Sequence, residues 1–227
     1  MGLTSSSTGK TINKDLFYSK ENCDFTVAIA GNPNVGKSTV FNALTGMHQH
    51  TGNWPGKTVS NASGICNFKD KSFLLVDIPG TYSLMSNSEE EEIARNYICF
   101  GEANLTVVVV DATCLERNLN LVYQTFEITK NVIVCVNLLD EALKKGINVD
   151  LKKLSDELGV PVVGTIASKP KTLKKLQETI YNFCTDKLIS SPKKVIYSNI
   201  IESSLDLLEK SLNYSRLSFK MDLFKIN

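Results

Sequence analysis

The stretch that decides the fold of this 227-residue chain reads Gly31-Asn32-Pro33-Asn34-Val35-Gly36-Lys37-Ser38. An apolar run, residues 25–30, precedes it, and a helix-like pattern, residues 39–44, follows it. Strand, glycine-framed loop and helix form the context that the phosphate-binding pattern G-x-x-x-x-G-K-S/T requires. A chance match in a glycine-bearing turn is the alternative, and the complete pattern in this context makes it the weaker one. We therefore expect a loop that holds the phosphates of a nucleotide.

Four positions of this loop have a chemical task in that interpretation. Gly31 and Gly36 let the backbone turn tightly, so that its N–H groups converge on phosphate oxygens. The helix that follows contributes further unpaired N–H groups and the positive end of its dipole. Lys37 supplies a positive charge for the outer phosphates, and the hydroxyl of Ser38 suits Mg²⁺.

Length and composition indicate one sizeable globular domain with a small appendage. The apolar content of 42% and the charged content of 22% are ordinary for such a protein. The formal net charge of +1 gives no electrostatic argument for a nucleic-acid partner. No apolar run approaches the roughly 20 residues that a membrane-spanning helix needs, and the polar start of the chain does not resemble a signal peptide.

Cysteine and histidine spacing gives no sign of a metal cage. The six cysteines are widely separated and none forms a C-x-x-C pair, so we expect free thiols in a reducing compartment rather than disulfides. His48 and His50 fall in a polar loop, where solvated side chains are a simpler interpretation than metal ligands. The cysteines are Cys23, Cys66, Cys99, Cys114, Cys135 and Cys184.

Hydrophobic periodicity predicts strands that alternate with helices. The strands are expected at residues 24–30, 58–68, 72–78, 105–110, 131–136 and 160–165, and the helices at residues 39–45, from 88 onward, 115–126, 150–158 and 172–188. A polar turn at residues 69–71 makes the second and third strands an antiparallel pair. With the phosphate loop, this order predicts an α/β fold of the P-loop NTPase type, three layers (α/β/α) around a mostly parallel six-stranded sheet with one antiparallel edge strand.

Two connections contain turn residues and no clear period. Residues 46–57 carry Gly, Asn, Pro and the one Trp, and residues 81–87 follow the third strand. We expect both to be mobile rather than regular. The acidic run Glu89–Glu92 follows Ser88, and a solvated first turn of a helix explains it more simply than a cation site does.

A change of pattern near the Ser-Ser-Pro at residues 190–192 predicts a boundary. The expected segments are a flexible leader (1–23), the main domain (24–188) and a small helical subdomain (193–227). Apolar stripes at helical spacing over 201–212 and 214–224 are too short to form their own core. They should therefore dock on the main domain or on further chain.

Further signals lie at predicted strand ends, where ligands bind in open α/β sheets. Asp77-Ile78-Pro79-Gly80 provides an acid that can hold Mg²⁺ through water and a glycine N–H for the terminal phosphate. Asn137-Leu138-Leu139-Asp140 suits guanine, because a carboxylate accepts from the ring N1–H and the exocyclic amine, while Asn137 can bond the base and tie loops together. Thr58 is the natural second hydroxyl for Mg²⁺. Each signal is weak alone, but their order after a phosphate loop makes the set strong.

This set resembles the TRAFAC-type small GTPases, and four stretches narrow the resemblance to the ferrous iron transport protein B (FeoB) family. They are GNPNVGKSTVFNALTG, TGNWPGKTVS, VDIPGTYSL and NLLD. The resemblance covers about residues 24–188 and implies the cytosolic GTPase domain of that family. Residues 193–227 resemble a shortened form of the helical, guanine-nucleotide-dissociation-inhibitor-like subdomain that follows it there, and the family's membrane permease is absent from this chain.

The resemblance also implies individual roles. Asn34 matches the asparagine that ligates K⁺ in potassium-activated members, where the ion would stabilise charge as an arginine finger does. Thr81 stands where Ras-like proteins carry a water-positioning Gln and is too short for that task, so hydrolysis should be slow. Ala167 would offer its N–H to the guanine O6. Leu138 replaces a base-packing Lys and suggests fast release, and Ile166 replaces a common Ser, so this base-binding loop is the least specific match.

The candidate residues fall into four groups. Phosphates are expected to be bound by Gly31, Asn32, Pro33, Asn34, Val35, Gly36, Lys37, Ser38, Thr39, Gly56, Lys57, Thr58, Val59, Ser60, Asp77, Ile78, Pro79 and Gly80. Guanine is expected to be bound by Asn137, Leu138, Leu139, Asp140, Ala167 and Ser168. The catalytic group is Lys37, Asn34, Thr58 and Gly80, and the metal ligands are Ser38, Thr58 and Asp77 for Mg²⁺ and Asn34 for K⁺.

The resemblance implies a GTPase that regulates or drives ferrous iron uptake through a membrane permease, at the cytoplasmic face of the inner membrane. Mg²⁺, K⁺ as an activator and GTP or GDP are the implied cofactors and ligands. The permease, a small regulatory protein of the same system and an oligomer through the GTPase domains are the implied partners, with no nucleic acid. Two alternatives stay open: a ribosome- or RNA-associated GTPase, and a stand-alone nucleotide sensor.

Overall fold

The computed structural model describes residues 23–46, 49–54, 57–85, 88–167, 169–193 and 195–213. Its strands are β1 (Phe25–Gly31), β2 (Gln49–Asn53), β3 (Ser60–Phe68), β4 (Lys71–Asp77), β5 (Leu105–Asp111), β6 (Val132–Asn137) and β7 (Val162–Gly164). Its helices are α1 (Lys37–Thr45), α2 (Glu89–Phe100), α3 (Leu115–Ile128), α4 (Leu139–Lys144), α5 (Leu151–Leu158), α6 (Pro170–Cys184) and α7 (Asn199–Asn213). A short 3-10 turn, Ala112–Cys114, connects β5 to α3.

The strands form one sheet in the order β2-β3-β4-β1-β5-β6-β7. Five strands run parallel, namely β4, β1, β5, β6 and β7. The other two, β2 and β3, complete one side of the sheet through antiparallel pairing. The central strands are apolar because both of their faces are covered by helices. In β1, Val27 and Ile29 belong to the core on one face, and Ala28 and Ala30 belong to the core on the other. The predicted three-layer α/β arrangement is confirmed.

The sheet has seven strands where the sequence predicts six. The additional strand, β2, lies in the stretch 46–57 that we expected to be mobile. It pairs with β3 from Gln49 opposite Gly64 to Asn53 opposite Ser60. An edge strand needs only backbone partners on one side, so it forms without an apolar pattern. β3 is therefore the strand that runs against the others, and β2 lies outside it at the edge and runs in the same direction as β4.

Several boundaries also differ from the prediction. β7 has three residues, because only Val162–Gly164 pairs with β6, and α6 begins at Pro170 and ends at Cys184 rather than spanning 172–188. α4 has six residues, too few to show a helical period, and the sequence did not predict it. Residues 1–22 of the expected leader (1–23) and the second helical stripe at 214–224 lie outside the described residues.

The C-terminal helix α7 adjoins the end of α3. Leu205 of α7 is 6% exposed, and it lines a cavity of about 400 Å³ with Ile128 and Tyr197. The segment that leads to α7 is fixed by backbone hydrogen bonds from Ser191 to Gly159 and from Lys193 to Leu158. Within the described ranges, no helix combines the length and the apolar character that crossing a membrane requires.

The six cysteines are free, as the spacing predicts. Cys135 lies in the middle of β6 and is completely buried. Burial raises the pKa of its thiol to about 12, so this side chain is a neutral core residue at physiological pH. The side chains of His48 and His50 lie outside the described part of the structure.

Candidate nucleotide-binding site

The phosphate loop connects β1 to α1 through two left-handed backbone positions. Asn34 has a φ of 66° and Gly36 a φ of 79°, conformations that Asn and Gly tolerate best. Gly31 is required for a different reason, since a Cβ there would lie 2.6 Å from the carbonyl oxygen of Val109 in β5. The same atom on Gly36 would lie 2.4 Å from Nδ2 of Asn137. The two glycines of the motif therefore allow the loop to pack directly against neighbouring elements.

Asn137 joins the base-binding motif to the phosphate loop. Its side chain is fully buried at the end of β6, and Nδ2 donates a hydrogen bond of 3.1 Å to the carbonyl oxygen of Val35. Its Oδ1 accepts a 3.1 Å hydrogen bond from the hydroxyl of Thr165. Thr165 is also fully buried, and sequence reasoning missed it, because only its position just after the last strand marks it. The two bonds fix the orientation of the amide between the two loops.

The loop lysine, the serine and the strand-end aspartate meet at one point. Lys37 forms an ion pair with the carboxylate of Asp77, and the side chains are only 10% and 14% exposed. The Ser38 hydroxyl lies 3.4 Å from the other oxygen of Asp77. One carboxylate and one hydroxyl are hard oxygen ligands of the kind Mg²⁺ selects. The donor set therefore fits a magnesium ion held between protein and phosphate oxygens.

The described residues hold no cluster of three or more His, Cys, Asp or Glu side chains that could bind a metal by itself. The residues that fit Mg²⁺ are Ser38 and Asp77, and a nucleotide would have to complete the coordination with its phosphates. Asn34 contributes a further oxygen atom at the loop that could ligate a cation. Its side chain is exposed at the loop, and its amide oxygen is free of hydrogen bonds to the rest of the described structure, which leaves it available as a ligand.

The segment after β4 packs on the phosphate loop. The Ile78 N–H donates to the carbonyl oxygen of Ile29 at 3.0 Å, and the Thr81 N–H donates to that of Gly31 at 3.2 Å. A Cβ on Gly80 would lie 3.3 Å from Cα of Pro33. These contacts bring the predicted Asp77–Gly80 motif beside the loop. The Thr81 side chain is 3% exposed, and its hydroxyl is paired with the backbone of Ser83, so it is already engaged within its own turn.

The segment before β3 is anchored on α2. Trp54 is 3% exposed and packs edge-to-face on Tyr97 of α2, with ring centroids 5.4 Å apart. Its backbone N–H donates to the carbonyl oxygen of Val59 at 2.8 Å, which closes a turn. Within the turn, Lys57 and Thr58 contact acidic side chains of α2, and the hydrogen bond from Lys57 to Glu92 raises the pKa of Lys57. The structure thus places the side chains of Lys57 and Thr58 against α2. Gly56 lies outside the described residues.

The base-binding side of the site begins at Leu138. This residue has a φ of 60°, which is costly for a Leu, and it precedes α4 directly. Asp140 lies in the first turn of α4 with its side chain partly exposed. Ala167 is partly buried after β7, and its loop is fixed by Thr172, which accepts from the Ile166 N–H at 3.1 Å. Ser168, the other predicted member, lies outside the described residues.

The carboxyl ends of β1, β4 and β6 thus bring three of the predicted motifs to one edge of the sheet. The motifs that lie side by side there are the glycine-framed phosphate loop, Asp77 with the Ser38 hydroxyl, and Asn137-x-x-Asp140. Thr58 does not join them, because its hydroxyl contacts α2. A three-layer α/β fold with this loop at its central strand defines the class of P-loop nucleotide-binding proteins.

Comparison with known proteins narrows the class to a family. The model of the family described as "Ferrous iron transport protein B" matches residues 25–180, and this chain belongs to that family. The Fe(2+) transporter FeoB of Escherichia coli (strain K12) is 39% identical over 189 residues, which are 82% of this chain and 24% of that protein. The chain thus spans about a quarter of the length of this curated relative.

Solved structures agree with this assignment. The apo form of the cytosolic domain of the T. maritima FeoB iron transporter is 37% identical, with a TM-score of 0.83 over 88% of this chain and 79% of that one. The GMPPNP form of the same domain is 36% identical, with a TM-score of 0.82 and the same coverage. The family match favours the iron-transport interpretation over an RNA-associated GTPase.

Proposed function

We propose that this chain binds GTP and hydrolyses it slowly to GDP and phosphate in a reaction that requires Mg²⁺ and is activated by K⁺. The observation that carries the proposal is the bond between Asn137 and the phosphate loop, 3.1 Å from Nδ2 to the Val35 carbonyl oxygen. It ties the motif suited to guanine to the motif suited to phosphates. The GMPPNP form of the T. maritima domain supports it, because that ligand is a guanine nucleotide.

Each part of the site would have a separate task in this reaction. The backbone N–H groups of the loop and the charge of Lys37 would bind the phosphates, and Asp140 would accept hydrogen bonds from the guanine edge. Ser38 and Asp77 would hold Mg²⁺, which would neutralise phosphate charge when bound. The Gly80 N–H would contact the terminal phosphate. The attacking water would be oriented by loop backbone, since the Thr81 hydroxyl is engaged with Ser83.

The biological role proposed for the chain is the GTPase part of a ferrous iron uptake system. The whole relative from E. coli carries the name Fe(2+) transporter, and this chain corresponds to about a quarter of it. The proposed partners are a membrane permease, a small regulatory protein of the same system and further GTPase domains. The proposed place is the cytoplasmic face of the inner membrane. A stand-alone nucleotide sensor is the competing role.

Hydrolysis and its potassium dependence can be tested together at Asn34. Single-turnover GTP hydrolysis with Mg²⁺ should be faster in K⁺ than in Na⁺ by on the order of ten- to hundred-fold, because a cation beside the phosphates stabilises charge that develops in the transition state. Asn34→Ala should remove this stimulation and leave the Na⁺ rate in place.

A second variant, Asn34→Gly, distinguishes loss of the Asn34 side chain from strain in the backbone. Asn34 has a φ of 66°, so Ala adds strain that Gly would not. Asn34→Gly should therefore lose the potassium stimulation to the same extent. Equal wild-type rates in the two salts would exclude the potassium role, and absence of any hydrolysis in either salt would exclude the enzymatic function.

A further inference from the structure

Four side chains outside the phosphate loop form a polar cluster between the segment before β3 and the first turn of α2. Lys57 Nζ lies 2.9 Å from Glu92 Oε2 and 3.6 Å from Glu89 Oε1. The Thr58 hydroxyl donates to Glu89 Oε2 at 3.2 Å. We call Lys57, Thr58, Glu89 and Glu92 the loop latch.

The latch engages a residue that the proposed function needs elsewhere. Ser38 and Asp77 approach each other to 3.4 Å, whereas the partner of the Thr58 hydroxyl is Glu89. Among the described residues no hydrogen bond joins Thr58 to Ser38 or Asp77, so the turn has to shift before Thr58 can reach a metal that they hold. The contact with Glu89 therefore holds Thr58 at α2, apart from the other two Mg²⁺ candidates.

Lys57 and Thr58 are part of a turn that two backbone hydrogen bonds close. Trp54 and Val59 are joined by a 2.8 Å backbone hydrogen bond, and the Lys57 N–H donates to the Trp54 carbonyl oxygen at 2.9 Å. Trp54 itself packs on Tyr97 of α2. The contact between Trp54 and Tyr97 and the latch therefore both hold this turn against α2. We expect release of the latch to loosen the packing of Trp54.

We propose that Glu89 and Glu92 are positioning residues that hold Lys57 and Thr58 against α2, so that these contacts must be released before Thr58 can join Ser38 and Asp77 at Mg²⁺. This inference rests on the proposed function and assigns the acidic turn a role in regulating it. The latch lowers the apparent affinity for a nucleotide with Mg²⁺, because only the released arrangement offers Thr58 to the metal. Half-exposed ion pairs are weak individually, and we expect the two contacts together to lower the affinity about three- to ten-fold.

The double variant Glu89→Ala/Glu92→Gln tests the latch, with Glu90→Ala as the matched control. Glu90 lies in the same exposed turn, so its loss weakens the interaction with the helix dipole without removing a latch contact. The first readout is acrylamide quenching of Trp54, the single tryptophan of the chain, in nucleotide-free protein. Quenching should rise in the double variant and stay at the wild-type value in the control.

The second readout is the Kd for GMPPNP measured by calorimetry with Mg²⁺ and with EDTA. With Mg²⁺ the double variant should bind three- to ten-fold more tightly than the wild type and the control, and with EDTA the three proteins should bind equally. The latch would be overturned if the double variant gained affinity for GMPPNP equally with Mg²⁺ and with EDTA, or if its Trp54 quenching equalled that of the wild type. If GMPPNP binds none of the three proteins, the proposed function fails, and the quenching experiment still decides whether the latch exists.

Discussion

Gly36→Ala should abolish measurable binding of GMPPNP, with a loss of affinity of more than about a hundred-fold. Two effects combine at this position. The φ of 79° is unfavourable for Ala, and the new Cβ would lie 2.4 Å from Nδ2 of Asn137. Relief of that clash must displace either the phosphate loop or the amide that holds it to the base-binding motif. Calorimetric titration with GMPPNP and Mg²⁺ measures the loss.

Gly146→Ala is the matched control for the backbone effect. Gly146 has a φ of 74°, and a Cβ there would meet nothing within 4 Å. This variant should lose about 1–2 kcal/mol in the free energy of unfolding and bind GMPPNP like the wild type. If Gly36→Ala and Gly146→Ala lose the same free energy of unfolding and bind GMPPNP equally well, the packing of the phosphate loop on Asn137 does not matter for binding.

Asp140→Asn should change the preferred base from guanine to xanthine. The carboxylate accepts from the N1–H and the exocyclic amine of guanine, whereas an Asn amide can donate to the oxygen that xanthine carries in place of the amine. A site that leaves buried donors and acceptors unpaired discriminates strongly, so we expect the affinity for GDP to fall about a hundred-fold and that for XDP to rise. Competition binding with the two nucleotides measures both changes.

The neighbouring acid provides the control for Asp140. Glu141 lies in the same turn of α4, and its side chain is exposed and paired with Lys144 at 3.0 Å. Glu141→Gln removes one negative charge at nearly the same place and should leave the preference for GDP unchanged. An unchanged preference in Asp140→Asn would refute the role of Asp140 in base recognition.

The parts of the fold that the sequence predicts are those determined by nearby residues. β1 and β5 are short apolar runs with both faces buried, and their predicted bounds differ from the structure by about one residue. The phosphate loop is predicted because its glycines, lysine and serine act within one turn. The strand-end motifs at Asp77 and Asn137 are predicted because parallel strands end at one edge of a sheet.

The parts that were missed depend on residues far apart in the chain. β2 forms because β3 offers it a backbone edge, which no pattern within residues 46–57 reveals. Thr165 orients Asn137 from 28 residues away. Lys57 and Glu92 are 35 residues apart, so the sequence alone indicates a solvated acidic turn and a mobile loop. Trp54 is the one residue of this loop whose type indicates an ordered contact, since a single large aromatic in a loop tends to be buried.

If the phosphate loop and the Asn137–Asp140 motif form one site for a guanine nucleotide, the wild-type chain should distinguish GMPPNP from AMPPNP in calorimetric titrations with Mg²⁺. GMPPNP should bind at least about a hundred-fold more tightly, since adenine offers Asp140 no matching pair of donors. Equal affinities for the two analogues would show that the two motifs do not form such a site.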